Sequence, residues 1–230
     1  MDCSAIVTGG TGGLGSAVVA RLLDDGWRVV VPWVVETELA RVPQRDGCEL
    51  IQADLFDPAA VEKVVSLGAG DDTKPLRGVV NLVGGFAAGS RVAETPIEDF
   101  EKQFRLNLRP TYLMVQAGVG PIIDAGGGSI VCVGTRAAIQ PFKGAAGYIS
   151  SKAAVIAFSN AVAVEYRDDG VRCNTILPSV IDTPGNRASM PNADFERWVK
   201  PETIAGVIAF LLGSDSEPTS GAAIPVYGRA

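Results

Sequence analysis

Seven short apolar runs recur along this chain, separated by longer amphipathic or polar stretches. The runs lie at 5–8, 28–31, 49–53, 78–83, 129–133, 172–177 and 222–226. Most are continuous rather than alternating, which is how strands read when helices cover both of their faces. Helical periodicity falls between them, near 13–25, 58–67, 97–124, 147–168 and 201–213, with about one further turn near 36–41. Pro58 and Pro201 stand where a first helical turn tolerates proline. Pro110 predicts a break in the third helical stretch, because its ring clashes with the preceding turn. A strand–helix alternation sustained over the chain predicts an α/β fold. The expected form is a Rossmann-type, doubly wound parallel sheet of about seven strands with helices on both faces.

No internal repeat or linker divides the chain, so residues 1–230 read as one domain. The segment 178–200 has neither periodicity, and an irregular stretch of that length in a compact domain is a candidate substrate loop. Apolar residues make up 47 % of the sequence, enough for a core without disulfides or metals. The net charge of −6 argues against nucleic acid and anionic membranes as partners. No uninterrupted apolar run approaches the ~18 residues of a membrane span. Cys3, Cys48, Cys132 and Cys173 form no C-x-x-C pair and read as reduced thiols of a cytoplasmic protein. The first residues lack the positive region of a signal peptide.

Histidine is absent. That excludes Ser-His-Asp and Cys-His nucleophilic sites and any His-ligated metal, and no metal site is expected. A general base must then be Tyr, Lys, Asp, Glu or Cys.

The first apolar run leads directly into TGGTGGLG, Thr8 to Gly15, and an amphipathic stretch follows. Glycines there let the backbone approach a pyrophosphate, and the helix start supplies N–H groups and a favourable dipole. In this context the string points to a dinucleotide. It fits G-x-G-x-x-G, T-G-x-x-x-G-x-G and T-G-x-x-G-x-x-G equally well.

Later motifs choose between these spacings. Asp54 follows the third run, Asn81-Leu-Val-Gly-Gly85 ends the fourth, and Asn107 lies in the long helical stretch. Tyr148-Ile-Ser-Ser-Lys152 gives Y-x-x-x-K, and Pro178 and Thr183 follow the sixth run. In this order the chain resembles the short-chain dehydrogenase/reductase family over essentially its whole length. The resemblance implies an enzyme, an NAD(P)-dependent oxidoreductase moving a hydride between nicotinamide and a carbonyl, alcohol or C=N substrate. It implies Tyr148 as acid/base, Lys152 beside it, Thr135 in the serine position thirteen residues before the tyrosine, and Asn107 as the fourth catalytic residue. It places Gly9, Thr11, Gly13, Leu14, Gly15, Trp33, Asp54, Leu55, Asn81, Gly84, Tyr148, Lys152, Pro178 and Thr183 around the cofactor.

The sequence departs from the family in having Thr135 for serine, Leu82 for the second asparagine of N-N-A-G, and Ser179 for the glycine after Pro178. Residues 83–89 and 181–198 are locally similar to one member, dihydropteridine reductase, and make Phe86, Arg187 and Trp198 candidate substrate contacts. No base stands at Gly12, Trp33 or Val34 to pair with a 2′-phosphate, so between NAD and NADP the sequence leans slightly to NAD. Two other readings share the same loop: a non-catalytic dinucleotide sensor, and an NAD-dependent epimerase or dehydratase. Residues 153–164 leave little polar face, which predicts a homotetramer or homodimer through the helices near 97–124 and 147–168.

Replacing Tyr148 with Phe is expected to abolish turnover while leaving nucleotide affinity nearly intact, since loss of an acid–base group typically costs ~10²–10⁴-fold. Steady-state rates and nucleotide titration check this; a variant keeping more than about a tenth of the wild-type rate contradicts it.

Overall fold

A computed structural model describes residues 2–229. Seven strands form one sheet: β1 Ser4–Thr8, β2 Arg28–Trp33, β3 Cys48–Gln52, β4 Leu76–Asn81, β5 Gly128–Val133, β6 Val171–Pro178 and β7 Ala223–Val226. Their order is β3-β2-β1-β4-β5-β6-β7 and every pairing is parallel. The helices are α1 Gly15–Asp24, α2 Pro58–Ala69, α3 Ile97–Asn107, α4 Arg109–Asp124, α5 Ala146–Glu165, α6 Pro184–Ser189 and α7 Pro201–Leu212.

The continuous apolar runs have the expected cause. Successive strand residues point to opposite faces, and each face has its own core. Ile6, Val30, Val79 and Ile130 pack on one side with Val64, Met114 and Val155 of α2, α4 and α5. Ala5, Val7, Val29, Val31 and Val131 pack on the other with Val18 and Leu22 of α1 and Ile204 and Ile208 of α7.

Polar residues fasten the ends. Asp57 caps α2, its carboxylate accepting from Ala59 N at 3.1 Å, with Pro58 in the first turn. Arg28, buried at the start of β2, donates to the carbonyls of Leu67 and Gly68 and to Ser4 Oγ, and pairs with Glu49. It thereby gives a side-chain donor to two carbonyls of the last turn of α2.

Pro110 does break the long helical stretch. The first helix ends at Asn107, Leu108 stands between, and Pro110 sits in the first turn of the second. β4 stops at Asn81 rather than continuing to Val83, because the N–H groups of Leu82 and Val83 turn to Thr8 Oγ1 at 3.1 and 3.4 Å. The segment 178–200 is more ordered than its sequence suggests. It contains α6, a 3₁₀ turn at Phe195–Arg197, and a parallel bridge between Ile181 and Val199.

By length and composition α5 would suffice to cross a membrane. One side of it, with Ser151, Lys152, Val155, Ser159 and Val162, is buried in the domain. The opposite side presents Ala153, Ala157, Ala161 and Val164 to solvent.

Candidate active site

The site is a crevice at the carboxyl ends of the strands, where β1 and β4 lie side by side and the chain order reverses. β1 delivers the chain into the glycine turn. Gly9 has a φ of +66°, a left-handed conformation that a side chain disfavours. A Cβ on Gly15 would collide with the Gly9 carbonyl, and one on Gly13 would lie 2.9 Å from Thr183 Cγ2. The turn therefore leaves bare backbone at the start of α1. Leu14, at the N-cap, offers no side-chain cap of its own. Such a start suits a pyrophosphate.

Thr183 lies against this turn and caps α6, its Oγ1 accepting from Asn186 N at 3.3 Å. Pro178 is buried as the last residue of β6. Trp33, the last residue of β2, and Asp54 and Leu55, after β3, stand at the same carboxyl ends farther along the sheet. Leu55 is buried, while Asp54 is exposed and accepts from Phe56 N at 3.0 Å. Thr11 donates its hydroxyl to Glu38 Oε2 at 2.8 Å, and Arg41 bonds Glu38 Oε1 at 3.1 Å. No motif marks Glu38, which a 3₁₀ turn at Glu36–Arg41 carries back over the glycine turn.

The other half of the crevice holds the tyrosine. Tyr148 lies in the first turn of α5, and Lys152 lies one turn on, along the same side of the helix. Lys152 is buried and donates to the Val133 carbonyl at 2.9 Å. Burial draws its pKa down to about 8, with the neighbouring Cys132 thiol acting in the opposite direction. Burial raises the Tyr148 pKa, and a hydrogen bond with Thr135 opposes that rise. Thr135 is itself held in place, since its Oγ1 accepts from Ala137 N at 3.3 Å.

Asn107 is fully buried. Its Oδ1 accepts from Gly85 N at 2.9 Å and its Nδ2 donates to Ser151 Oγ at 3.0 Å. Ser151 donates in turn to the Tyr148 carbonyl at 2.8 Å. A Cβ on Gly84 would lie 2.7 Å from Asn107 Oδ1 and 3.0 Å from Lys152 Nζ, so the loop after β4 crosses directly over both. Asn81 lies deeper, its Nδ2 facing Cys132 Sγ at 3.7 Å. Ser151 and Cys132 escaped the sequence reading: nothing sets one serine of Ile-Ser-Ser apart, and Cys132 lies in an ordinary apolar run.

The three candidate substrate contacts have separate surroundings. Phe86 is 64 % exposed and its ring stands edge-on to Tyr148, centroids 5.0 Å apart. Arg187 pairs with Asp182 through two bonds of 2.5 and 2.8 Å and lies 4.8 Å from the Phe195 ring. Trp198 is 9 % exposed and packs 4.8 Å from Phe195. Arg187 and Trp198 thus hold the flap together, while Phe86 borders the tyrosine. Among the described residues no cluster of acids and cysteines could hold a metal ion.

A bare-backbone turn at the switch point, together with a half-buried tyrosine and a buried lysine one turn apart on α5, is the arrangement of a dinucleotide-dependent oxidoreductase. The comparisons sharpen that class: residues 4–194 match the short chain dehydrogenase family model, and the chain belongs to this family. It is 29 % identical to the 2-(R)-hydroxypropyl-CoM dehydrogenase of Xanthobacter autotrophicus, with 99 % of this chain and 98 % of that one aligned. A short-chain type dehydrogenase/reductase from Mycobacterium ulcerans shares the fold with a TM-score of 0.92 at 24 % identity, covering 100 % of this chain and 90 % of that one. A blue fluorescent protein from a metagenomic library, solved in complex with NADPH, superposes with a TM-score of 0.85 at 28 % identity, covering 98 % and 96 %. The protein is accordingly an oxidoreductase that works with a nicotinamide cofactor.

Burial of Lys152 carries a prediction about stability. A lysine at about 8 in the folded chain and 10.5 when free is harder to protonate folded than unfolded. The unfolded chain binds the extra proton between those values, so stability rises with pH across that window. Replacing Lys152 with Met is expected to stabilise the protein by up to about 3 kcal/mol below pH 8, a gain that vanishes towards pH 10.5. Urea midpoints of both proteins at neutral and alkaline pH check this. A variant gap that does not shrink with rising pH contradicts it.

Proposed function

We propose that the enzyme reduces an apolar carbonyl compound, or oxidises the matching alcohol, with Tyr148 as the acid/base. The observation that carries this reading is the buried Lys152 ammonium one turn from a tyrosine hydroxyl that also meets Thr135. The nicotinamide supplies or accepts the hydride when bound. The Gly9–Gly15 turn, with Thr11, Leu14 and Thr183, would hold the pyrophosphate. Trp33, Asp54 and Leu55 would border the adenosine, and Asn81, Gly84, Lys152 and Pro178 the nicotinamide end.

Thr135 orients the substrate oxygen by a hydrogen bond that strengthens as charge builds on it. Tyr148 gives its proton to that oxygen in reduction and takes it back in oxidation. Lys152, once an oxyanion forms on Tyr148, would favour it as a nearby positive charge. Asn107 and Ser151 fix the first turn of α5, and so act on Tyr148 by positioning it. Phe86 and Phe142, with centroids 6.3 Å apart and both largely exposed, form an apolar rim beside the tyrosine that favours an apolar substrate. The four cysteines are free thiols, three of them buried, which agrees with a reducing compartment such as the cytoplasm.

Glu38 supports a lean to NAD. Its carboxylate neutralises Arg41 and would repel a 2′-phosphate beside Thr11. Wild type is expected to oxidise NADH against a panel of apolar aldehydes and ketones and to bind NADH up to about tenfold more tightly than NADPH. Glu38→Gln frees Arg41 and should tighten NADPH about tenfold, equal to ~1.4 kcal/mol. Turnover assays and fluorescence titration test this. Nucleotide binding with no carbonyl turnover overturns the catalytic reading, and NADPH bound more than tenfold tighter by wild type overturns the lean.

The exposed apolar side of α5 lies next to α4, where Tyr112 of α4 packs on Phe158 of α5 at 5.7 Å. Ala153, Ala157 and Ala161 give it a shallow surface that a second copy can approach closely, which supports a homodimer or homotetramer on these helices. Sedimentation is expected to give an oligomer that Ala157→Arg dissociates. A stable monomer of 23.9 kDa at micromolar concentration contradicts it.

A further inference from the structure

The segment that follows β7, Tyr227 to Arg229, touches three elements around the proposed substrate site. The first is the loop after β6, where Ser179 Oγ donates to the Tyr227 carbonyl at 2.6 Å. Ser179 stands where the family has glycine, so this bond comes from a side chain that the family pattern lacks. The second is the 3₁₀ turn Arg136–Ala138, which Thr135 caps through its own hydroxyl. The Arg136 guanidinium lies over the Tyr227 ring, 5.0 Å from its centroid, while its Nε donates to Gln140 Oε1 at 2.9 Å. A guanidinium at that distance is attracted to the ring face.

The third element is the flap. Arg229 N donates to the Arg197 carbonyl at 3.2 Å, and Arg197 Nε and Nη2 both donate to the Arg229 carbonyl, at 3.2 and 3.1 Å. This reciprocal pair forms where Gly228 turns through a φ of +64°. A Cβ on Gly228 would lie 3.3 Å from the Arg197 carbonyl oxygen, so the two backbones meet at close range. Arg197 ends the 3₁₀ turn that carries Phe195, which packs on Trp198 and lies under Arg187. A single contact of these kinds adds little. Residues 227–229 make all of them within one short segment, so the flap and the Thr135 turn are joined through it.

We propose that Tyr227 and Ser179 are positioning residues of a latch: they fix the segment after β7 against the Thr135 turn, and that segment holds the flap 181–198 over the substrate. The proposal rests on the reading of 178–200 as the substrate loop. The latch uses the face of the Tyr227 ring, against Arg136, and the Tyr227 backbone carbonyl, against Ser179, and not the phenol hydroxyl. Thr135 keeps its own bond to Ala137 N when the latch is weakened. The chemical step is then unchanged, and only the hold on the substrate is lost.

The test uses the full-length protein with NADH and an apolar aldehyde or ketone that wild type reduces. Tyr227→Ala removes the ring and Ser179→Ala the hydroxyl. Each is expected to raise the KM of the carbonyl substrate about fivefold, the loss of one contact of this strength, with kcat and NADH affinity nearly unchanged. Because both act on one latch, the double variant should lose little more than either single one. Tyr227→Phe keeps the ring and should match wild type. With no substrate present, trypsin cleavage after Arg187, a half-exposed flap residue, should run about fivefold faster in both alanine variants and at the wild-type rate in Tyr227→Phe. An unchanged KM, an equal fall in kcat, fully additive losses, a Tyr227→Phe variant that behaves like Tyr227→Ala, or cleavage at the wild-type rate throughout overturns the latch. If wild type turns over no carbonyl compound, the catalytic reading falls instead, and the cleavage rates alone decide the latch.

Discussion

Asn107 is completely enclosed, and both ends of its side-chain amide are committed: Oδ1 to Gly85 N, and Nδ2 to Ser151 Oγ. Ser151 passes the connection to the backbone of Tyr148. A buried amide left half satisfied is costly, so a network of this kind accepts one arrangement and resists others. It joins the loop after β4, the last residue of α3 and the first turn of α5, segments far apart in sequence. The orientation of Tyr148 and the path of the chain over Lys152 both follow from it. The network itself depends on Pro110, which ends α3 at Asn107 and lets the chain restart as α4 in a new direction.

A similar economy operates at the cofactor end. Thr8 closes β1, and its one hydroxyl receives the N–H groups of Leu82 and Val83, which pulls the loop after β4 towards the glycine turn. Thr183 packs on the far side against Gly13 and caps α6. The two sides of the crevice are thus set by threonines at strand and helix ends, while the glycines leave the floor bare. A side chain at Gly15 would close the turn against Gly9, and one at Gly13 would displace Thr183 and the flap behind it.

Most of this architecture was legible in the sequence, because strands buried on both faces leave continuous apolar runs and helices between them leave a different period. The motif residues could be placed because they fall at the ends of those elements. Three examples show what was not legible. α6 spans only six residues, less than two turns, so it has no amphipathic period to read. Glu38 reaches Thr11 through a 3₁₀ turn, and 27 residues of separation carry no sign of that contact. Ser151 and its neighbour Ser150 are chemically alike; only the facing of the helix, which buries Ser151 completely, separates the fastening from the bystander. In each case the missing information is a tertiary contact rather than a local preference.

The packing around the tyrosine also sets two requirements against each other. Enclosing Lys152 beside Cys132 and under Gly84 makes its charge harder to carry, which costs stability, yet under the mechanism proposed above the same enclosure would strengthen its field at the phenol, since fewer water molecules screen it. A more exposed lysine would be easier to keep protonated and less effective on Tyr148. The bond to the Val133 carbonyl gives the ammonium a fixed acceptor at the end of β5. Because that acceptor is backbone, no neighbouring acid is needed to keep the lysine in place. An acid there would stabilise the ammonium but cancel much of its field at the hydroxyl, so the strand end serves both requirements where a salt bridge would serve one.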